Sequence, residues 1–403
     1  MRIFAAVRHS VDPRRFYGGL WSANFYPALR QLGHEIVESQ TDLSPTSKFM
    51  EIADGFTAEE LAARAETTER VLDEVRAAQL SGPVHLFLSY FYNAHFDPAG
   101  FDELRRLGIP SVNFYCNSIY QFDLVAAIAA KVDVSWHAER DARASYLAVG
   151  ARPVWVQMGA DPAVCHPVPS IPRQPRACFV GQRYADRDRL AASLVRSSLP
   201  LDLYGAGWGV ATAAPEAEEE PAVYLGRERL RAGSARAYWR VAAAQMRSGG
   251  VARGLERMAL QWRYRSETTA LSPLLSGAAR GRSAALCDTF ANYEIVLNFS
   301  NVWADGRPGS SLVPHVRLRD FEGPMSRTCY LTGHSDEITA FYDVGREIDT
   351  YRAAEELTDK VRYYLAHPPA AEALREAGYR RALCDHTWRR RFEELFSKIG
   401  VAA

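Results

Sequence analysis

Two arginines, Arg317 and Arg319, stand just ahead of Glu322 in the stretch HVRLRDFEGPMSRTCYLTGH, residues 315–334. A guanidinium can meet a phosphate through two parallel hydrogen bonds, and a carboxylate can accept from a pair of neighbouring hydroxyls. The preceding DGRPGSSLVP is a glycine- and serine-rich turn. Such a turn feeding a helix start offers free N–H groups and a positive dipole end to an anion. If residues 314–324 form one helix, His315, Arg319 and Glu322 fall at i, i+4 and i+7 and share a face. Together these parts fit a nucleoside diphosphate. They equally fit an ion pair on a surface helix, which needs no ligand and contributes less than about 1 kcal/mol.

Other residues could move protons. His95 in YNAHFDP and His137 in SWHAE each follow an apolar run, with Asp97 and Glu139 two positions later. His95, His137 and Asp97 are therefore candidates for taking a proton from an acceptor hydroxyl, with His9 and Asp12 as weaker ones. Asp186-Arg187-Asp188 has the form of a carboxylate pair that could hold a metal, but its place at a helix start gives capping or a surface position as the simpler reading. No metal site is expected. The six cysteines are scattered without a CxxC pair, which argues against zinc and against a disulfide framework.

Short apolar runs alternating with amphipathic stretches position these residues, the pattern of a parallel α/β sheet. RIFAAV, HEIVES, VHLFLSYF, PSVNFYC and VDVSWHA read as strands of a first domain. Between them, residues 57–80 read as a helix opened by Thr57 with Glu60 three residues on, a capping box. A proline-rich stretch, GARPVWVQMGADPAVCHPVPSIPRQPRA, reads as a connection, and the pattern then restarts with ACFVG, LDLYGAGW, YEIVLNFS and TCYLTG. Residues 1–168 are assigned to the first domain and 169–385 to the second, with an insertion at about 210–282 and a final helix over 386–403. Ligands of such sheets bind beyond the carboxyl ends of the strands. Within the insertion, residues 227–265 carry about ten arginines against Glu228 and Glu256, interleaved with Tyr238, Trp239, Trp262 and Tyr264. A solvated helical face is one reading; a basic, aromatic surface for an anionic acceptor or weak membrane contact is the other.

A chain of 403 residues implies two cores, and 48 basic against 48 acidic residues give no global pull toward nucleic acid. The amino terminus reads as no signal peptide and no run of 18 apolar residues occurs, so a cytoplasmic protein is expected.

Residues 317–396 resemble the carboxyl-terminal domain of the CgeB-like glycosyltransferases, named for a spore-maturation protein. The resemblance rests on Arg319-Asp320-Phe321-Glu322, CYLTG, Glu347-Ile348 before Tyr351, YYLAHP, and His386-Thr387-Trp388 with Arg391. FVGQRYADR, LYGAGW and the Gly-Ala-Asp-Pro of VQMGADPAVCHP resemble the same domain's entry and first strands. The resemblance implies a GT-B fold, two Rossmann-like domains facing across a cleft, and transfer of a sugar from a nucleotide-diphosphate donor (UDP-, GDP- or TDP-sugar) to an unidentified acceptor, without cofactor or metal. By resemblance Glu322 holds the ribose, and Arg319 with Arg317 or His315 faces the diphosphate or sugar. Gly181, Arg183 and Arg187 lie by phosphate, Gly205 and Trp208 by the base or ribose, and Gly18 and Gly19 form a close-approaching loop of the first domain. The last helix packs back on the first domain, and His386 is read as a structural cap or an interdomain contact. Many retaining relatives carry a second glutamate eight positions earlier, where this chain has Pro314. That departure leaves stereochemistry open, and with it a non-catalytic role in envelope or spore-coat assembly or a sugar-nucleotide epimerase.

Overall fold

The computed structural model describes residues 1–10, 19–168, 172–209, 222–225, 228–231, 236, 239, 240, 243, 246, 250–283 and 285–401. Gly18, Asp12 and the acidic stretch 210–221 lie outside the described residues. The chain forms two compact units: Met1–Gln157 with Val223–Leu230 and Trp388–Ala403, and Met158–Ala222 with Arg231–Thr387.

The first unit is built on a six-stranded sheet of β1 (Arg2–Ala6), β2 (Glu35–Glu38), β3 (Leu86–Ser89), β4 (Ser111–Tyr115), β5 (Val134–His137) and β6 (Pro153–Trp155). Every pairing in it is parallel and the order is β2-β1-β3-β4-β5-β6. Strands β3 to β5 are buried on both faces, which is why they read as unbroken apolar runs rather than alternating ones. Helix Ala58–Ser81 opens with the expected capping box: Glu60 N–H donates to Thr57 Oγ1, and Thr57 N–H returns a bond to Glu60 Oε2. The sixth strand lies inside the stretch read as a connection. Pro153 is tolerated there because β6 is the edge of the sheet and one side of its backbone needs no donor.

Helix Trp388–Ile399 belongs to this unit. Trp388 and Phe392 pack edge-on against Phe25 of helix Leu20–Gln31, with ring centroids 4.9 and 5.3 Å apart, and Trp388 Nε1 donates to Asn24 Oδ1 at 2.8 Å.

The second unit carries β7 (Gln174–Val180), β8 (Leu201–Tyr204), β11 (Ala279–Gly281), β12 (Tyr293–Asn298), β13 (Val302–Trp303), β14 (Leu312–Val313), β15 (Cys329–Gly333) and β16 (Asp349–Tyr351), while the short β9 (Ala222–Leu225) and β10 (Glu228–Arg231) between them group mostly with the first unit. Its six-stranded sheet is parallel in the order β11-β8-β7-β12-β15-β16. The core beneath it joins Phe179, Leu203, Ile295, Leu297 and Leu331 to Leu190 and Leu194 of helix Arg187–Arg196 and to Leu357 and Val361 of helix Ala354–Ala366. Each such side chain contributes about 1.5–3 kcal/mol by leaving water.

The boundary falls after Gln157 rather than after residue 168, because 158–168 is tied to the second unit. Ala160 N–H donates to His386 O, and Cys287 Sγ donates to Val164 O.

Candidate functional site

In the second sheet, chain order runs one way from β7 through β8 to β11 and the other way from β12 through β15 to β16. The reversal lies between β7 and β12, and a crevice forms at the carboxyl ends of strands that part in this way. Arg187 occupies that place. Its Nε donates to Phe299 O, just past β12, at 3.0 Å, and its Nη1 donates to Gln182 O, just past β7, at 2.7 Å. Arg317 Nε donates to the next carbonyl, Ser300 O, at 3.1 Å. Burial, and then the charge of Arg317, bring the Arg187 guanidinium down to about 9, still protonated at neutral pH. Two cations held by backbone carbonyls near one strand end make a site for an anion.

A second carboxylate, which sequence reasoning passed over, positions Arg317. Asp320 is buried, and its Oδ1 accepts from Asn298 Nδ2 at 3.0 Å, Tyr330 OH at 2.9 Å and Thr332 Oγ1 at 2.7 Å. Its Oδ2 accepts the Arg317 N–H at 2.7 Å. This hub fixes the loop to β12 and β15, and it also shortens the expected helix. The helix spans Arg319–Met325, so His315 and Arg317 precede it and do not share a helical face with Glu322. The available signal was polar Asn298 and Thr332 following the apolar runs IVL and CYL at the ends of β12 and β15.

Arg319 and Glu322 do form the ion pair, Nη1 to Oε2 at 2.6 Å, with Arg319 lying over the Phe290 ring. No described residue donates to the second oxygen, Oε1, and the Glu322 side chain keeps 14% of its surface exposed. The pair and a ribose site are therefore compatible. His315 is buried.

The two glycine turns pack on each other. Gly205 has φ +121°, and a Cβ there would sit 2.4 Å from Gly181 O, so only glycine fits. Trp208 is buried and donates its Nε1 to Gly181 O at 2.8 Å, supporting the turn from beneath. Arg183 is drawn away from any anion by Asp188 at 3.3 Å and by a bond to Ser272 Oγ. Asp188 also accepts from Thr268 Oγ1, and Asp186 accepts from Asn301 Nδ2, so each carboxylate of this pair serves a different internal partner. Asp188 is buried, not at the surface. His386 Nε2 donates within the second unit to Phe341 O, 2.8 Å away.

The sequence-derived proton acceptors lie in the first unit. His95 is fully buried, with Nδ1 accepting from Tyr92 N–H and Nε2 at 3.1 Å from Ser47 Oγ; burial, then His9, holds it well below the usual imidazole range. His137 is also fully buried, packed on Tyr146 with Nδ1 on Glu139 O, and burial lowers it too. Both rings are thereby enclosed in the unit's core. Asp97 closes a turn, accepting from Ala99 N–H, and faces Arg64 at 3.7 Å. His9 is half-buried at the point where β1 and β3 diverge, its ring 4.3 Å from that of His95. At Gly19 a Cβ would meet Ser22 Oγ at an ordinary 3.8 Å, so nothing among the described residues demands glycine.

No group of His, Cys, Asp and Glu among the described residues is arranged to hold a metal. An open depression of about 640 Å³ near Arg346, Glu347 and Tyr363 includes none of the candidate residues.

Residues 274–397 match the family model described as glycosyl transferase-like. No curated protein matches the chain. Among solved structures, the fold resembles sucrose-phosphate synthase from Thermosynechococcus elongatus, at TM-score 0.58 and 12% identity over 99% of both chains. It resembles a glycosyltransferase from Rickettsia africae at TM-score 0.59 and 10% identity, over 100% of this chain and 99% of that one. Anabaena HepE, solved with UDP and glucose, matches at TM-score 0.56 and 10% identity over 99% of both. The two parallel six-stranded sheets are thus those of the GT-B fold, and residues 274–397, most of them in the second unit, are similar to the glycosyl transferase-like model.

Proposed function

We propose that this protein transfers a sugar from a nucleoside-diphosphate donor to an acceptor hydroxyl, with Arg187 and Arg317 at the diphosphate and Glu322 at the ribose. The observation that carries the reading is the arginine pair at the reversal point of the second sheet, each guanidinium anchored on a consecutive carbonyl. Breaking the bond between the anomeric carbon and the diphosphate puts negative charge on the leaving oxygen. Fixed cations at that oxygen stabilise the transition state, and on this reading they take the part a divalent metal has in other transferases. The HepE structure holds UDP and glucose, which favours a uridine donor among the UDP-, GDP- and TDP-sugars. The resemblance of residues 317–396 to the CgeB-like pattern supports putting the same Arg-x-Phe-Glu, Arg319 to Glu322, at the donor.

On the acceptor side, His9 is a better candidate base than His95, His137 or Asp97. Among the three histidines it is the one with exposed surface, and burial keeps it neutral, at about 4. Its low basicity also makes it a weak acceptor of protons.

Thermal shift with UDP, GDP, TDP and ADP species tests the donor assignment. Stabilisation by at least one is expected; none at millimolar concentration would remove it.

A further inference from the structure

We propose that the outward face of helix Val251–Ser276 docks in the plane of an anionic lipid bilayer surface. This goes beyond the sugar-transfer reading and does not depend on it. The helix is fixed to the second unit along one side: Arg257 pairs with Asp305 at 2.9 Å, Tyr264 meets the Trp303 ring at 5.2 Å, Thr268 bonds Asp188, and Leu271 and Leu275 enter the core. Its opposite side is apolar as well. Val251, Leu255, Ala259 and Trp262 recur at i, i+4, i+8 and i+11, which places them on one stripe. Val251, Leu255 and Trp262 are 64, 55 and 70% exposed.

A helix of this kind with one anchored side needs no second apolar face for folding. Exposed Arg265 borders the stripe, and upstream the exposed Trp239 lies between exposed Arg236 and Arg240. The segment 227–265 holds about ten arginines against two glutamates in a chain whose total charge is zero, and on this helix Arg253, Arg263 and Arg265 are exposed against exposed Glu256. Tryptophan seats at the boundary between headgroups and acyl chains, aliphatic side chains gain by leaving water, and arginine meets anionic headgroups. A polyanion such as RNA would satisfy the arginines but give Val251 and Leu255 no apolar phase. The interspersed charges make the helix one that lies on a bilayer, and no helix among the described residues is long and apolar enough to cross one.

Co-sedimentation of the full chain with phosphatidylcholine vesicles, with and without phosphatidylglycerol, tests this. Binding is expected to the anionic vesicles and to weaken with salt. Leu255→Glu with Trp262→Glu should reduce partitioning by about tenfold or more, and Arg265→Glu by about fivefold, with thermal midpoints unchanged because all three are exposed. The proposal is overturned if the protein stays in the supernatant with anionic vesicles, or if the double variant still sediments with them. It is equally overturned if the double variant alters only the mass in analytical ultracentrifugation, which would make the face a contact between two copies. Loss of binding to RNA with vesicle binding intact would overturn it as well.

Discussion

Arg187 and Arg317 give their Nε hydrogens to two consecutive carbonyls, Phe299 O and Ser300 O, immediately beyond β12. Like charges held side by side repel, and burial adds to the cost by favouring the neutral form of Arg187. A bound diphosphate offsets both effects. Arg187→Ala and Arg317→Ala should each weaken UDP or GDP about 10- to 100-fold in calorimetry, the loss of one charge-assisted pair. Inorganic pyrophosphate should weaken in parallel, since these residues are assigned to phosphate. Unchanged pyrophosphate binding in both variants would place the anion elsewhere.

On the proposed reading Glu322 meets the ribose and not the phosphates. One of its oxygens is engaged by Arg319, and the other is left to accept from hydroxyls. Glu322→Ala should therefore weaken the nucleoside diphosphate about 10-fold or more while leaving pyrophosphate within about twofold. An equal loss for both ligands, or for neither, would reduce Glu322 to the partner of Arg319 alone.

Asp320 touches no assigned ligand, yet it joins β12, β15 and the Arg317 loop through four accepted hydrogen bonds. Asp320→Ala leaves these buried donors without an acceptor, at about 3 kcal/mol or more. Urea unfolding should show that loss, and nucleotide affinity should fall with it because Arg317 is released. A stability within about 0.5 kcal/mol of the parent would contradict the hub.

Acid stability should be set partly by the buried imidazoles. His9 is held at about 4 by burial, and His95 and His137 are lowered for the same first cause. Their folded forms bind fewer protons than the unfolded chain below its imidazole range near 6.5, so stability is full above that pH and is lost as pH falls. From His9 alone the loss is roughly 2 kcal/mol by pH 5. Chemical unfolding between pH 7.5 and 5 should follow this limb and flatten in His9→Gln; a flat profile in the parent would show that the imidazoles are already solvated.

Much of the fold could be read from local pattern, because strands such as LFLS and SVNFY announce themselves as apolar runs and Thr57 with Glu60 marks a helix start. What escaped was non-local. The strand Pro153–Trp155 hides among prolines that only an edge position tolerates. Asp320 received no role between Arg319 and Glu322, since its partners come from two strands distant in sequence. Arg183 and Arg187 looked interchangeable, and the carboxylate of Asp188 decides between them. His95 and His137 were candidates because each follows a strand, but that position does not reveal whether a neighbouring loop seals the ring, as Ser47 and Tyr92 seal His95.

A crystal structure with a bound nucleoside diphosphate tests the central claim most directly. The account predicts the diphosphate against the guanidiniums of Arg187 and Arg317, with the ribose hydroxyls at Glu322. A nucleotide bound away from both arginines, or one whose ribose leaves Glu322 paired only to Arg319, would contradict it.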